Sequence, residues 1–216
     1  MVLIDLSIPI CDGMQSFPGE PGSSFIRFAS LETMGFVSHQ LLLYSHGGTH
    51  VDAPRHFLHN GGDVAGMALE RLIGPSMVAD VPFYRDRTIG LGDIQWPRRP
   101  TMGDRVLIRT GWGEHWGASD YFTGFPNLSI DVARYLASCG VVLVGLDTPT
   151  PHAEMAQEIH EILLGSGIII VESLVNLDRI SSPYGTLICL PLPMVGMDGA
   201  PARVVFAEGE PSIEGQ

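Results

Sequence analysis

The chain has 216 residues, of which 45% are hydrophobic and 17% are charged. This balance is typical of a compact globular protein with a proper core, so we expect a single domain over residues 1–216. Twelve basic residues against 24 acidic ones give a formal net charge of −12, which argues against nucleic acid and anionic membrane surfaces as partners.

The cysteines and the N-terminus favour a cytoplasmic protein. Cys11, Cys139 and Cys189 are odd in number and far apart, so they indicate neither a zinc knuckle nor a disulfide framework. The first residues lack the basic segment and apolar core of a signal peptide, and we find no run of about 18 apolar residues that would span a membrane. The polar tail at residues 208–216 is predicted to fray.

The predicted elements contain more strand than helix. In chain order they are strands at 2–9, 24–28 and 36–44, a helix at 67–73, strands at 77–82 and 105–109, a helix at 130–138, a strand at 141–146, a helix at 153–164, a strand at 167–171, and strands with proline interruptions within 186–206. Turn-forming residues indicate a loop at 18–22, and Ser129 is a predicted N-cap. The helix–strand alternation from 129 to 172 predicts helices packed on a sheet, hence a mixed α/β domain.

The segment from His46 to His56 is the most informative part of the chain, because three histidines and an aspartate lie within it. Neutral imidazole and carboxylate are usual ligands of zinc, and manganese favours oxygen donors. On a strand, alternating side chains would put His46, His50 and Asp52 on one face, with Gly48 between them leaving room for an ion. The sequence therefore predicts a metal site, and the alternative is a polar turn punctuated by glycine and proline.

Two residues further along the chain are polar where burial is expected. His160 lies on the apolar face of the helix predicted at 153–164, and Glu172 directly follows the buried strand predicted at 167–171. A buried charge is costly unless it is paired or bound to a metal, and the turn at Gly165 allows the two residues to converge. The alternatives are a hydrogen-bonded core histidine and a strand-end glutamate that reaches solvent.

Residues 46–57 resemble the H-x-G-T-H-x-D-x-P-x-H-F signature of the metal-dependent cyclase family, which includes bacterial kynurenine formamidase (arylformamidase) and isatin hydrolase. The similarity covers nearly the whole chain, and the chain length suits the formamidase branch. Its further points are Asp5, Pro18-Gly19, the strand end at 145–149, His160, Glu172, residues 190–193, Gly196 and Asp198-Gly199.

This resemblance implies a centre with two Zn²⁺ ions per subunit, with Mn²⁺ as the alternative. In such a centre His46, His50 and Asp52 hold the first ion, and His160 with Glu172 holds the second. Asp52 bridges the two ions. The implied fold is a strand-rich, three-layer swivelling β/β/α type. Family members are commonly dimers in which the substrate pocket borrows residues from the partner chain, so a homodimer is expected.

The expected function is hydrolysis of a carbon–nitrogen amide bond by metal-activated water. His56 matches the family's catalytic histidine and is expected to move a proton to the leaving nitrogen. Conversion of N-formylkynurenine to kynurenine and formate ranks first, and hydrolysis of a cyclic amide such as isatin ranks second. Two other classes stay open: a non-haem iron oxygenase, which also uses two histidines and a carboxylate, and a metal-binding protein without turnover.

The expected partner is a small aromatic amide. Phe17 with Pro18, Trp112 and residues 190–194 are candidates for an apolar wall around its ring, although plain core packing is the simpler explanation for each. No residue set is evident for the amino-acid head group that N-formylkynurenine carries. The remaining histidines are expected to lie outside the site, with a cap or pocket role open for the last of them: His39, His59, His115 and His152.

Overall fold

The computed structural model describes residues 1–209, so most of the predicted frayed tail lies outside the described residues. The strands within this range are β1 (Val2–Asp5), β2 (Ser24–Ala29), β3 (Ser38–Leu42), β4 (His50–Asp52), β5 (Ile73–Asp80), β6 (Thr88–Ile89), β7 (Arg105–Arg109), β8 (Asn127–Leu128), β9 (Leu143–Leu146), β10 (Ile169–Glu172), β11 (Tyr184–Pro191) and β12 (Gly199–Glu208). The α-helices are α1 (Leu31–Met34), α2 (Leu69–Leu72), α3 (Ile130–Cys139) and α4 (Ala156–Gly165). The mixed, strand-rich α/β class predicted from the sequence is confirmed.

The main sheet closes on itself through its longest strand. Its order is β1-β12-β11-β5-β7-β9-β10-β4, and β4 pairs back with β12. Residues 199–201 of β12 pair with β4, while residues 205–208 of the same strand pair with β1. The strands β5, β7, β9 and β10 are parallel neighbours, and α4 connects β9 to β10 as the helix–strand alternation predicted at 129–172 requires.

Helices α3 and α4 cover one face of the parallel strands. Their inward residues, which include Leu136 and Leu163, are fully buried against strand residues such as Val144 and Ile170. Each such side chain contributes about 1.5–3 kcal/mol through burial. This packing holds α4 in position over β10. Among residues 1–209, no helix is long and apolar enough to cross a membrane.

The hairpin of β2 and β3 forms a separate two-stranded sheet, with α1 between its strands. Several of its large apolar side chains are exposed, and Phe28 and Leu31 are 70% and 64% exposed. The strand predicted at 36–44 corresponds to β3, which ends earlier, at Leu42. The histidine-rich segment that follows is therefore not a continuation of this strand.

Candidate active site

Strands β4 and β10 bring polar residues from the two halves of the chain to one place. The strands pair antiparallel, with Glu172 opposite His50 in the register. His160 reaches the same place from α4, which precedes β10 in the chain and packs against it. The side chains of these three residues and of Asp52 are buried. The structure thus brings together residues that are up to 122 positions apart, as the register pair of His50 and Glu172 shows.

His46 reaches the cluster from a turn. Strand β4 begins only at His50, and just before it Gly48 has a left-handed φ of 66°, which glycine tolerates best. The prediction that His46, His50 and Asp52 share one face of a strand is therefore wrong for His46, whereas His50 and Asp52 do lie two residues apart on β4. The turn nevertheless folds His46 back onto Asp52, with 2.8 Å between His46 Nδ1 and Asp52 Oδ1.

The imidazoles of His46, His50 and His160 each have one ring nitrogen held by an oxygen atom. The other ring nitrogen therefore faces the buried carboxylates. The holding contacts are His50 Nδ1 to the Gly48 carbonyl at 2.8 Å, His160 Nδ1 to the Ala156 carbonyl at 2.6 Å, and His46 Nε2 to the Asp198 carboxylate at 2.9 Å. A carbonyl oxygen only accepts, so in the neutral rings of His50 and His160 the lone pair lies on Nε2. Such outer contacts orient histidine ligands toward metal ions.

Asp52 contacts all three imidazoles. Its Oδ1 lies 2.8 Å from His46 Nδ1 and 3.3 Å from His50 Nε2, and its Oδ2 lies 3.4 Å from His160 Nε2. Glu172 joins two of the same rings, with 3.2 Å between Oε2 and His50 Nε2 and 3.3 Å between Oε1 and His160 Nε2. Three nitrogens and two carboxylates therefore surround one small buried region.

Two atoms of this cluster show that its residues suit a metal ion. Among residues 1–209, His50 Nε2 and Asp52 Oδ2 are buried without a hydrogen bond of adequate geometry. An unpaired buried polar group costs about 1–3 kcal/mol, and both atoms are of the type that binds zinc or manganese. Donor atoms within 4.8 Å of one another form two groups that share an aspartate: His46, Asp52 and His56, and His50, Asp52 and Glu172.

The carboxylates control the protonation of the imidazoles. Burial lowers the pKa of His160, but the hydrogen bonds and charges of Asp52 and Glu172 outweigh it and raise that pKa to about 10. The same balance holds the pKa of His50 well above its usual value. Burial also opposes ionisation of Asp52, yet its histidine partners hold its pKa well below the usual value. A cation must therefore displace protons from this cluster, so its binding is expected to weaken at low pH.

His56 lies beside the cluster, at the end of the 3-10 helix Pro54–His56. Its ring stacks on the His46 ring with 3.9 Å between centroids, and its Nδ1 lies 3.6 Å from Asp198 Oδ2. Burial lowers the pKa of His56, so the ring is neutral at pH 7 and can accept a proton. Asp198 was not identified from the sequence as a site residue, yet it contacts two histidines of the site.

The cluster lines a cavity of about 250 Å³ whose other walls include four aromatic side chains. Phe17 and Phe122 meet edge to face with 5.7 Å between ring centroids, and Phe57 stacks on His160 at 4.3 Å. Trp116 also lines the cavity, and the polar lining outside the cluster consists of Gln15, Ser16, Glu20, Thr150 and Ser173. This lining suits one aromatic ring that carries polar substituents.

The predicted apolar wall is only partly correct. Phe17 lines the cavity, but Trp112 is fully buried in a separate aromatic core and residues 190–194 do not reach the cavity. Trp116 and Phe122 supply the rings in their place. The sequence offers no local signal that Trp116 and not Trp112 lines the cavity. The two residues lie at opposite ends of one helical turn and differ only in the side to which they point.

The remaining histidines lie outside the cluster. His39 and His59 are exposed, and His115 stacks on Trp112 with 4.4 Å between ring centroids. His152 Nδ1 accepts hydrogen bonds from two backbone N–H groups at 3.1 Å each, just before α4. These contacts order the residues just before α4 but do not cap the helix, because its N-cap residue is Met155 and no side chain caps it.

Asp147 is a second buried carboxylate and directly follows β9. Its oxygens accept hydrogen bonds of 2.6–3.2 Å from the N–H and hydroxyl groups of Thr110 and from the N–H of Gly111. Burial raises the pKa of Asp147 to about 6, and these hydrogen bonds limit the rise. Because its partners follow β7, Asp147 links the ends of two neighbouring strands.

Solved structures with the same fold place this cluster in a class. A potential metal-dependent hydrolase with cyclase activity superposes with a TM-score of 0.82 at 30% identity, covering 97% of this chain and 99% of that one. Isatin hydrolase A of Labrenzia aggregata, bound to benzyl benzoate, superposes with a TM-score of 0.77 at 23% identity, covering 95% and 93% of the two chains, a likeness that shows the fold alone. Fold and site together define a cyclase-type α/β protein with a buried imidazole–carboxylate centre.

The sequence comparisons identify the family. Residues 4–153 match the model of the Cyclase family, described as Putative cyclase. Kynurenine formamidase of Bacillus thuringiensis subsp. konkukian is 32% identical over 206 residues, which cover 94% of this chain and 96% of that protein. The chain belongs to the cyclase family, as the resemblance of its histidine-rich segment indicated.

Proposed function

We propose that this protein is a metal-dependent arylformamidase. It hydrolyses the formamide bond of an aromatic formamide such as N-formylkynurenine and releases the arylamine and formate, acting as a single domain over residues 1–216. The observation that carries the proposal is the buried imidazole–carboxylate cluster, with its unpaired ligand atoms, in an aromatic-lined cavity. The 32% identity to a kynurenine formamidase over 94% of the chain supports the same activity.

The metal centre in this proposal contains two Zn²⁺ ions per subunit, with Mn²⁺ as the alternative, because nitrogen and oxygen ligands suit both. His46, His50 and Asp52 would hold one ion, and Asp52 would bridge to a second held by His160 and Glu172. Such ions lower the pKa of bound water toward neutrality and polarise a carbonyl oxygen. The outer contacts of the three imidazoles would fix which ring nitrogen is offered to the metal.

His56 is the proposed proton carrier. It lines the same cavity, is neutral at pH 7 and lies outside the pairs formed by the buried carboxylates. It would take a proton and deliver it to the leaving nitrogen. His56 also belongs to a potential ligand group with His46 and Asp52. Metal content and rate must therefore be measured together in a His56 variant to separate the two roles.

The aromatic walls would hold the aryl ring of the substrate. Phe17, Trp116 and Phe122 line the cavity, and edge-to-face ring contacts contribute about 0.5–1.5 kcal/mol beyond simple burial. An arylamine is a better leaving group than an alkylamine because its nitrogen lone pair delocalises into the ring. The cavity thus matches an aryl amide better than an alkyl amide.

The proposed assembly is a cytoplasmic homodimer. The exposed apolar side chains of the β2–β3 hairpin and α1 form a surface of the kind that marks protein interfaces, and a second copy of this chain is the proposed occupant. Light scattering on the purified protein is expected to give twice the chain mass of 23.3 kDa. A monomeric mass at micromolar concentration would contradict the dimer.

A substrate panel tests the activity. Metal-free protein is reconstituted with zinc or manganese and assayed with N-formylkynurenine, isatin and a hydantoin, in air and under anaerobic conditions. We expect metal-dependent release of formate from the aryl formamide without oxygen uptake. Hydrolysis of isatin alone would indicate a cyclic-amide hydrolase, oxygen-dependent turnover would indicate a non-haem iron oxygenase, and metal binding without turnover would indicate a binding protein.

A further inference from the structure

We propose that Glu20 selects the substrate by charge, so that the preferred aryl formamide carries a cationic amine on its side chain and a carboxylate there is disfavoured. This inference rests on the proposed arylformamidase function and concerns the same cavity. It adds a recognition group that sequence reasoning did not find, since no residue set for an amino-acid head group was evident from the sequence.

A tight turn presents Glu20 to the cavity. The Glu20 N–H donates to the Phe17 carbonyl at 2.9 Å, and Gly19 between them has a left-handed φ of 92°. Proline at the second position and glycine at the third are the residues that a type II turn favours, and Pro18 and Gly19 occupy these positions. The Ser16 hydroxyl also donates to the Glu20 carbonyl, at 3.1 Å. The turn therefore places an aromatic ring and a carboxylate, Phe17 and Glu20, on the same cavity lining.

Neither lysine nor arginine lines the cavity beside Glu20, and the histidines of the lining that are held protonated face Asp52, Glu172 and Asp198. The chain has no lysine, and none of its 12 arginines, all of which lie within residues 1–209, lines this cavity. The lining carboxylates are Glu20 and Glu172, and Glu172 is engaged with His50 and His160. Glu20 is therefore the lining carboxylate outside the proposed metal centre, and it lies beside the Tyr44 phenol.

Elementary electrostatics then decides which substituent is favoured. A substrate carboxylate near Glu20 would meet a like charge and no arginine, whereas a protonated amine would meet an opposite charge. The ring of Phe17, which belongs to the same turn, would add attraction for a cation over its face. In N-formylkynurenine, which carries both groups, the ammonium would be the group recognised, and the carboxylate would find no arginine or lysine in the lining.

Three matched substrates test this selection. They are formanilides with the same ortho ketone side chain, which ends in a primary amine, a methyl group or a carboxylic acid. For the parent enzyme with its metal restored, we expect kcat/KM to be about tenfold higher for the amine than for the methyl compound and lowest for the acid. Because Glu20 is only partly buried, this preference is expected to shrink as ionic strength rises from 0.05 to 0.5 M.

Substitutions at Glu20 assign the effect to this residue. In Glu20→Gln the ratio of amine to methyl kcat/KM is expected to fall to about one, and in Glu20→Arg the acid is expected to become the better of the two charged substrates. The control is Glu114→Gln, an exposed glutamate that does not line the cavity, and it should keep the parent ratio. Retention of the parent ratio in both Glu20 variants would overturn the inference.

The same assays distinguish failure of this inference from failure of the proposed function. If the parent enzyme hydrolyses all three formanilides at equal rates, the charge selection is wrong and the arylformamidase activity stands. If it hydrolyses none of them with either metal, the proposed function is wrong, and the inference that depends on it is overturned as well.

Discussion

Asp52 and Asp147 are both buried carboxylates of the same sheet region, 0% and 1% exposed, but their surroundings differ. The oxygens of Asp147 accept hydrogen bonds from backbone N–H groups and a threonine hydroxyl. Asp52 faces three imidazoles, and among residues 1–209 its Oδ2 has no hydrogen bond of adequate geometry. One carboxylate is satisfied by the fold, and the other retains unused ligand capacity.

The pKa values of the two carboxylates shift in opposite directions because their partners differ. Burial raises the pKa of Asp147 to about 6, because neutral partners compensate its charge incompletely. Burial acts on Asp52 in the same sense, but its histidine partners reverse the effect and lower the pKa. Burial of a carboxylate is therefore a poor guide to function, whereas the chemistry of its partners is a good one.

Replacement of Asp52 has the largest expected effect. Asp52→Asn keeps the shape of the side chain but removes the charge that joins the three imidazoles. We expect metal affinity to fall by more than about 100-fold, the upper range for loss of an outer-shell partner, and turnover to disappear with it. Elemental analysis after dialysis measures this, and His50→Ala is expected to behave in the same way. Full metal occupancy in both variants would refute the ligand assignment.

Replacement of His56 separates metal binding from proton transfer. His56→Ala is expected to keep its metal while kcat falls by about 10²–10⁴-fold, the range for loss of a general acid–base residue. The readout is the rate on an aryl formamide together with metal content in the same preparation. A variant that loses the metal would make His56 a ligand, and one as fast as the parent would remove it from the mechanism.

Replacement of Asp147 should affect stability and leave the metal centre intact. In the parent, the N–H and hydroxyl donors share the full negative charge of the Asp147 carboxylate. In Asp147→Asn they would face either an amide NH₂ group, which is itself a donor, or a neutral oxygen, which accepts more weakly. We expect the free energy of unfolding to fall by about 2–4 kcal/mol. Urea unfolding measures this change, and the metal content per folded molecule should equal that of the parent. Metal loss in the folded variant would show that the two carboxylates are not independent.

The smallest expected effect is a pH dependence of stability. The pKa of Asp147 is about 6 in the folded protein and about 3.9 for an unfolded aspartate, so the folded state binds the proton more tightly. Its contribution to stability is present below pH 4 and is lost as pH rises to 6, by at most about 3 kcal/mol. The difference in unfolding free energy between parent and Asp147→Asn should therefore decline from pH 4 to 6. A flat difference would contradict the raised pKa.

Elements with local signals were predictable. Helix α3 begins after Ser129, whose side chain accepts a hydrogen bond from the Val132 N–H, and Gly140 follows it with a left-handed φ of 72°, as the sequence indicated. The buried strands β9 and β10 were also predicted from a local signal, because a short apolar run that follows a glycine is typical of a buried strand. The start of α4 was placed three residues too early, at 153, because His152 Nδ1 accepts hydrogen bonds from the N–H groups of Glu154 and Met155, which lie outside the helix.

Residue type and spacing predicted the α/β class, which the structure confirms, and a metal site, which remains a proposal. The resemblance of residues 46–57 to a known signature indicated the family, and the sequence comparisons confirm it. The pairing of β4 with β10 and β12 in the closed sheet determined which site residues come into contact. His46 arrives from a turn, and it contacts Asp198, 152 positions away. That contact requires β12 to pair with β4, and it also requires glycine at 199, where a Cβ would lie 2.8 Å from His46 Cε1. Such long-range pairings depend on the free energy of the whole sheet, which no local pattern contains.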